Sequence, residues 1–471
     1  MIEVRCLHSL SDAQPFRDAM NALNLASARP DPFSTFEFFA NHLRNSYPDP
    51  ATTQLWLLLA FIEDRLVGYL ALKLRRFTVL GLPAAKLELL TAYKTDRPHL
   101  VVADDSAGTV RPAIYAYILG RRKEWALLEF AQQDAVSALL PLPTQAISGA
   151  YSFRRWPNLD SGTIALRWQS LAEYFSALSR KFRSDVRRQM RTLLAAGEVQ
   201  VLTSSDSQTL PPLFELYRGV EAHSWKARTD VAFEGGNRWI EYYTELMEPD
   251  HPMQIAILVL LLDGVPIAGL ITGIFGKGLY ALHMVYDERY SRLAPGSALM
   301  LMGMRLAIEG GYEFFGLLQG FGYHKARWLA QMTETQSLQI YRVGSPFYWR
   351  RMLGDAKRRW FRAAVIDEAP LSNPSRRAIA RAGDTDAIES CAQFAISGEH
   401  THYASLIARV KRGRGEFLSS QQLAAALPFA TTAAPAVPTV QHTTPKARTG
   451  SQGRTNHHPS GTRAVPANAV D

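Results

Sequence analysis

Cysteine is nearly missing: the 471 residues contain two, Cys6 and Cys391, far apart and without metal-ligand spacing around either. Neither a disulfide framework nor a metal site is expected. Long apolar runs are missing as well. The run at residues 255–262 ends at Asp263-Gly264, whereas a bilayer span needs about 20 residues, so no transmembrane segment is expected. Residues 1–6 show no apolar stretch behind a basic start, the mark of a secretory leader, and the expected location is the cytoplasm. No Gly-x-Ser-x-Gly elbow, Walker loop, His-Glu-x-x-His helix or paired-carboxylate pattern occurs. Hydrolase, NTPase and metalloprotease chemistry therefore lack support.

What remains is an ordinary globular composition, 47% hydrophobic and 20% charged, long enough to bury a sizeable core. The net charge of +9 favours polyanionic or phosphorylated partners, among which a phosphorylated cosubstrate, nucleic acid and anionic lipid all qualify. Two distant segments spell one supersecondary unit. Residues 55–62 and 66–70 are β-rich runs around a polar turn, and residues 255–262 and 265–270 repeat the plan around Asp263-Gly264. Downstream, a helical stretch at 110–121 leads into an apolar run at 125–132, as one at 297–309 leads into 312–319. The shared order predicts one α/β (α+β) fold used twice, each copy a mixed central sheet flanked by helices.

The most informative stretch is the strand, link and helix over residues 278–311. The strand ends at Tyr286-Asp287, a polar link carries Arg292, and Pro295-Gly296-Ser297 opens a helix rich in Leu and Met. Amides at a helix start lack internal partners and carry partial positive charge, and glycine lets a ligand approach the backbone, so this corner suits a phosphate. It resembles the acyl-CoA-binding corner of the GNAT acyltransferase superfamily, in which an Arg or Gln precedes a Gly-containing turn that holds the CoA pyrophosphate. Arg292-Leu-Ala-Pro-Gly296-Ser-Ala298 is one residue longer than the usual Arg-x-x-Gly-x-Gly/Ala. With its repeat, the chain resembles tandem GNAT proteins: Fem-type aminoacyltransferases of peptidoglycan synthesis and, more closely, acetyltransferases associated with bacterial cellulose and exopolysaccharide operons. Residues 178–191 are similar to the basic helix opening their catalytic half, Ser224-Trp225-Lys226 to their Ser-Trp-Lys segment, and Gln319-Gly-Phe-Gly-Tyr323-His-Lys325 to their Gly-rich strand end.

The resemblance spans about residues 1–360. It implies a GNAT-like domain at 1–165 without a donor site, since Asp104-Asp105 would repel pyrophosphate at its helix start, and a catalytic one at 166–365. A partly helical extension (366–423) and a disordered tail (424–471) complete the expected organisation. The implied activity is transfer of an acyl group, acetyl above all, from acyl-CoA to an amine in polysaccharide or cell-envelope metabolism, without a metal. Arg292, Pro295, Gly296, Ser297 and Ala298 would hold the donor. The alternatives are aminoacyl transfer from charged tRNA and a non-catalytic assembly role.

Other residues are weighed on their own chemistry. At helical spacing Leu178, Phe182, Val186 and Met190 form one apolar stripe, while Arg187, Arg188 and further basic residues face outward, near a phosphorylated donor or an acidic acceptor. Duplex DNA is not the expected partner, because no helix-turn-helix, zinc or stacking pattern accompanies the charge. Strand alternation puts Leu279, Ala281, His283 and Val285 on one face, with His283 a candidate base. Tyr323 and Lys325 are the candidate proton donor and charge stabiliser. Glu221, Trp225 and Lys226 are expected to line the acceptor side.

Overall fold

The computed structural model describes residues 2–91, 95–142, 149–229, 233, 238–362, 397–413 and 415–427. The first sheet takes β1 (Ile2–Leu7), β2 (Thr53–Ile62), β3 (Arg65–Val79), β4 (Leu82–Leu89), β5 (Val101–Val102), β6 (Leu127–Gln133) and β7 (Tyr151–Pro157). The second takes β8 (Ser161–Ala165), β9 (Val199–Ser204), β10 (Gln254–Leu262), β11 (Val265–Phe275), β12 (Gly278–Tyr286), β13 (Phe314–Gln319) and β14 (Gln331–Thr333). Then β15 (Gln336–Arg342) joins the first sheet and β16 (Glu416–Leu418) the second. Both sheets carry flanking helices, as the repeated sequence plan predicts. Among the described residues no helix is long and apolar enough to cross a membrane.

The repeat is visible strand by strand. In the β10–β11 hairpin Leu262 faces Val265, and Asp263 and Gly264 both adopt positive φ (50° and 78°), the turn an Asp-Gly pair favours. Each sheet has one parallel pair, β4–β6 and β12–β13, bridged by the helices Ala107–Gly120 and Pro295–Glu309. Near the end of the second strand of each pair one residue is left-handed, Gln132 (φ 57°) in β6 and Leu318 (φ 56°) in β13, and the register slips beside each.

The sheets do not follow the division expected at 165/166. β8 lies between β13 and β14, and β15 lies between β6 and β7, so the halves exchange one interior strand each. Ile164, Leu338 and Ile340 are fully buried in these exchanged positions. A boundary read along the chain assumes that each sheet closes on its own segment, which ladder pairing does not require.

The expected tail start at 424 is also corrected. The helix Ser420–Ala426 runs across it behind a Ser419–Gln422 capping box, and Leu423 and Leu427 are 1% and 3% exposed in the core. Before it, within the extension expected to be partly helical, Ser397–Arg412 packs on Leu210–Glu221 through Leu406, Ile407 and Val410. Residues 363–396, most of them in the expected extension, and the remaining tail from 428 lie outside the described residues.

Candidate functional site

β12 and β13 are paired only from Gly278↔Phe314 to Tyr280↔Gly316. Beyond that point β12 continues to Tyr286 beside β11, while β13 bends at Leu318 and continues beside β8. The two strands thus part and leave backbone edges facing a splay, where polar groups of the main chain need partners other than the neighbouring strand.

Two lysines attend those edges. Lys226, half-buried, donates from Nζ to Met284 O of β12 at 2.8 Å. Burial pulls its pKa down to about 7, with the Glu221 carboxylate opposing and the Lys325 ammonium assisting the fall. Lys325 donates to Leu317 O (2.7 Å), Leu318 O (3.1 Å) and Gln319 O (2.5 Å), so its three N–H groups grip the bent end of β13. Burial lowers it to about 8 against the pull of Asp96. Glu221 is 2% exposed on the helix Leu210–Glu221, and Trp225 is 45% exposed beside it.

His283 behaves differently from its expected place. The register slips between Ile271 and Thr272, so Leu282 is an extra residue and the alternation resets. Tyr280, Leu282 and Val285 then share one core with His283's neighbours, while Leu279, Ala281, Met284 and Tyr286 face the other. His283 is 2% exposed, its Nδ1 is 2.8 Å from the Tyr217 hydroxyl, and the rings of Phe233 and Tyr243 pack around it. Tyr323 is 80% exposed and lies by Arg327, whose guanidinium also covers Phe182 of the basic helix. The structure therefore gathers Glu221, Lys226 and Lys325 at the splay, buries His283 behind it, and puts Tyr323 toward the basic helix.

The corner stands next to the splay. Pro295 opens the helix Pro295–Glu309 after Ala294, which has φ 51° and no side chain to cap the amides. A Cβ on Gly296 would meet only Tyr286 Cδ1 at 3.9 Å, so the space above the first turn is open. Ser297 closes a turn from its N–H to Ala294 O at 2.9 Å, and Ala298 is buried. Arg292 is exposed on the short 3-10 link Glu288–Leu293. The basic helix Arg180–Ala195, capped by Ser179, packs against that link and the corner helix through its buried stripe. Its outward Arg187 lies over Phe175 at 5.3 Å, and Arg188 sits 3.9 Å from Asp185.

Sequence reasoning missed the wall supplied by the first half. Gln319 Nε2 donates to Thr95 O, Ser161 Oγ donates to Asp96 Oδ2 at 2.8 Å, and Arg97 Nε reaches the same oxygen at 3.1 Å. Behind them Arg29 pairs with Asp134 at 3.0 Å, and His99 lies 3.7 Å from Asp31. Burial pushes Asp31 up to about 6 and His99 down to about 3. The only trace in sequence is the density of polar residues between Lys94 and His99, which reads as a loop. A cleft of about 1020 Å³ lined by Arg44, Tyr47 and Glu245 shares no residue with the splay, and its Arg44 and Glu245 neutralise each other.

Residues 180–326, which carry the splay, the corner and the basic helix, match the model of the acetyltransferase (GNAT) domain family. The second half of the chain thus contains a GNAT acetyltransferase domain. Among solved structures the chain is similar to FemX, with 10% identity, a TM-score of 0.48, and 74% of this chain and 99% of that one covered. It is also similar to a tandem GNAT protein from the clavulanic acid biosynthesis pathway, with 16% identity, a TM-score of 0.43, and 73% and 99% covered. A third is the C-terminal domain of a putative lysylphosphatidylglycerol synthetase from Agrobacterium fabrum, with 13% identity, a TM-score of 0.44, and 73% and 95% covered. No curated protein matches the chain in sequence.

Proposed function

We propose that the protein transfers an acyl group, acetyl above all, from acyl-CoA to an amine, and that the acceptor is an amino sugar or related amine of polysaccharide or cell-envelope metabolism. The observation that carries the acyl-transfer reading is the parting of β12 and β13 beside an uncapped helix start with open space over Gly296. The splay suits the extended arm of the donor, whose amides can meet strand edges, and the corner amides suit its pyrophosphate. The acetyl and polysaccharide parts rest on the sequence resemblance around Ser224-Trp225-Lys226 and Gln319–Lys325.

In this reading the acceptor nitrogen attacks the thioester carbonyl, the new C–N bond forms, and the C–S bond breaks to release CoA thiolate. Lys226 takes the proton lost by the attacking amine, because a pKa of about 7 leaves a substantial neutral fraction at neutral pH. Its donation to Met284 O persists when it is neutral, so the lone pair stays oriented. Lys325 remains largely charged and supplies positive potential at the strand end where negative charge develops. His283 supports β12 from the core instead of meeting substrate. Direct transfer needs only that donor and acceptor be held together.

Acetyl-CoA should raise the unfolding temperature, since a ligand bound only by the folded state stabilises it. Gly296→Asp should keep the fold, because the added side chain enters open space, and abolish that shift by placing negative charge where pyrophosphate sits. An unchanged shift in the folded variant overturns the site. No shift with any CoA thioester, together with tight binding of charged tRNA, overturns the reaction.

A further inference from the structure

We propose that the outer face of the helix Pro346–Arg362 docks on the surface of an anionic phospholipid bilayer. Among the described residues the helix is fastened along one side. Phe347 meets Phe77 edge-on at 5.9 Å, Arg351 donates to Ser152 Oγ at 3.0 Å and covers Tyr341 at 4.9 Å, and Asp355 lies 3.9 Å from Arg154. These contacts fasten it along the first sheet, so its opposite face runs parallel to the molecular surface.

That opposite face is apolar where a solvated helix would be polar. Trp349, Met352 and Leu353 fall at i, i+3 and i+4, and they are 53%, 41% and 58% exposed. Large apolar side chains grouped on a surface mark a contact, whereas scattered ones need no explanation. The charge identifies what is contacted. Residues 346–362 hold six arginines and lysines against the single acid Asp355, and Arg350 is exposed beside Trp349. An in-plane helix with Trp and Leu on one face and a surplus of basic residues fits the headgroup boundary of an anionic leaflet, where indole rings settle and cations meet lipid phosphates. A hydrophobic protein partner would take the apolar stripe but has no use for this charge.

The full chain should float with vesicles of phosphatidylglycerol and phosphatidylcholine, should not float with phosphatidylcholine alone, and should be released in part by salt. Trp349→Ser combined with Leu353→Ser should weaken the partition by about tenfold or more, since the buried apolar area is lost, with the unfolding temperature unchanged. If that double variant fails to fold, Arg350→Glu alone decides the matter, because it alters an exposed charge and should weaken partition severalfold at low salt. Absence of flotation with anionic vesicles overturns the proposal, as does flotation that neither variant reduces. A wild-type dimer that becomes monomeric in the double variant, without vesicle binding, assigns the patch to a second copy instead and likewise overturns it.

Discussion

Lys226 and Lys325 reach the two sides of one splay, yet their chemistry differs because their partners differ. Lys226 has one carbonyl acceptor and a nearby carboxylate, whereas Lys325 spends all three donors on β13. Lys226→Met should therefore lower turnover and remove the acidic limb of the rate profile. In the unaltered enzyme kcat/KM should rise with pH through about 7, the point at which Lys226 loses its proton. A profile that keeps this limb in the variant would assign the base elsewhere. The same depression carries a stability consequence. The unfolded lysine holds its proton to about 10.4, so between about 7 and that value the unfolded chain binds more protons and stability rises with pH. Lys325→Met should lower turnover and also weaken the fold, since three carbonyls lose their donor around the left-handed Leu318, costing about 2–3 kcal/mol in denaturant unfolding.

At the scale of elements, the C-terminal segment and the basic helix separate packing from charge. Removing residues 428–471 should leave the unfolding temperature and turnover unchanged, whereas ending the chain at Ser419 removes the buried Leu423 and Leu427. The second truncation should cost about 2–5 kcal/mol, and equal stability of the two shortened proteins would show that this helix contributes no packing. The basic helix buries Phe182, Val186, Met190 and Leu193 and turns Arg187 and Arg188 outward, next to the link that carries Arg292. Arg187→Glu with Arg188→Glu should raise KM for acyl-CoA severalfold at low salt, leave kcat nearly unchanged, and lose its effect as salt screens the charges. A KM insensitive to both changes would make these arginines a solvated face. Within this helix the apolar period was readable in sequence because its stripe meets one flat core. Leu178 shares that core from outside the helix, which begins at Arg180.

Across the whole molecule the reciprocal strand exchange ties the halves together. Residues 1–165 alone lack β15 from the interior of the first sheet, and the remainder lacks β8 from the interior of the second. Each fragment should be insoluble or molten when made alone, and co-expression should restore a folded complex, as read by circular dichroism and size-exclusion chromatography. Independent folding of 1–165 would show that the exchanged strand is dispensable. The sequence by itself determined what is written in local periods: the hairpins at 55–70 and 255–270, the strand, link and helix of the corner, and the twofold use of one plan. Hairpin turns, β-rich runs and helix starts depend on neighbours a few residues apart, so they can be read without the fold. Only the tertiary structure decided which sheet receives 161–165 and 336–342, which core His283 joins after the bulge at Leu282, and that Thr95 and Asp96 wall the end of β13. Those outcomes depend on ladder register and on contacts between residues 65 to more than 200 positions apart, and residue order alone carries no local signal for either.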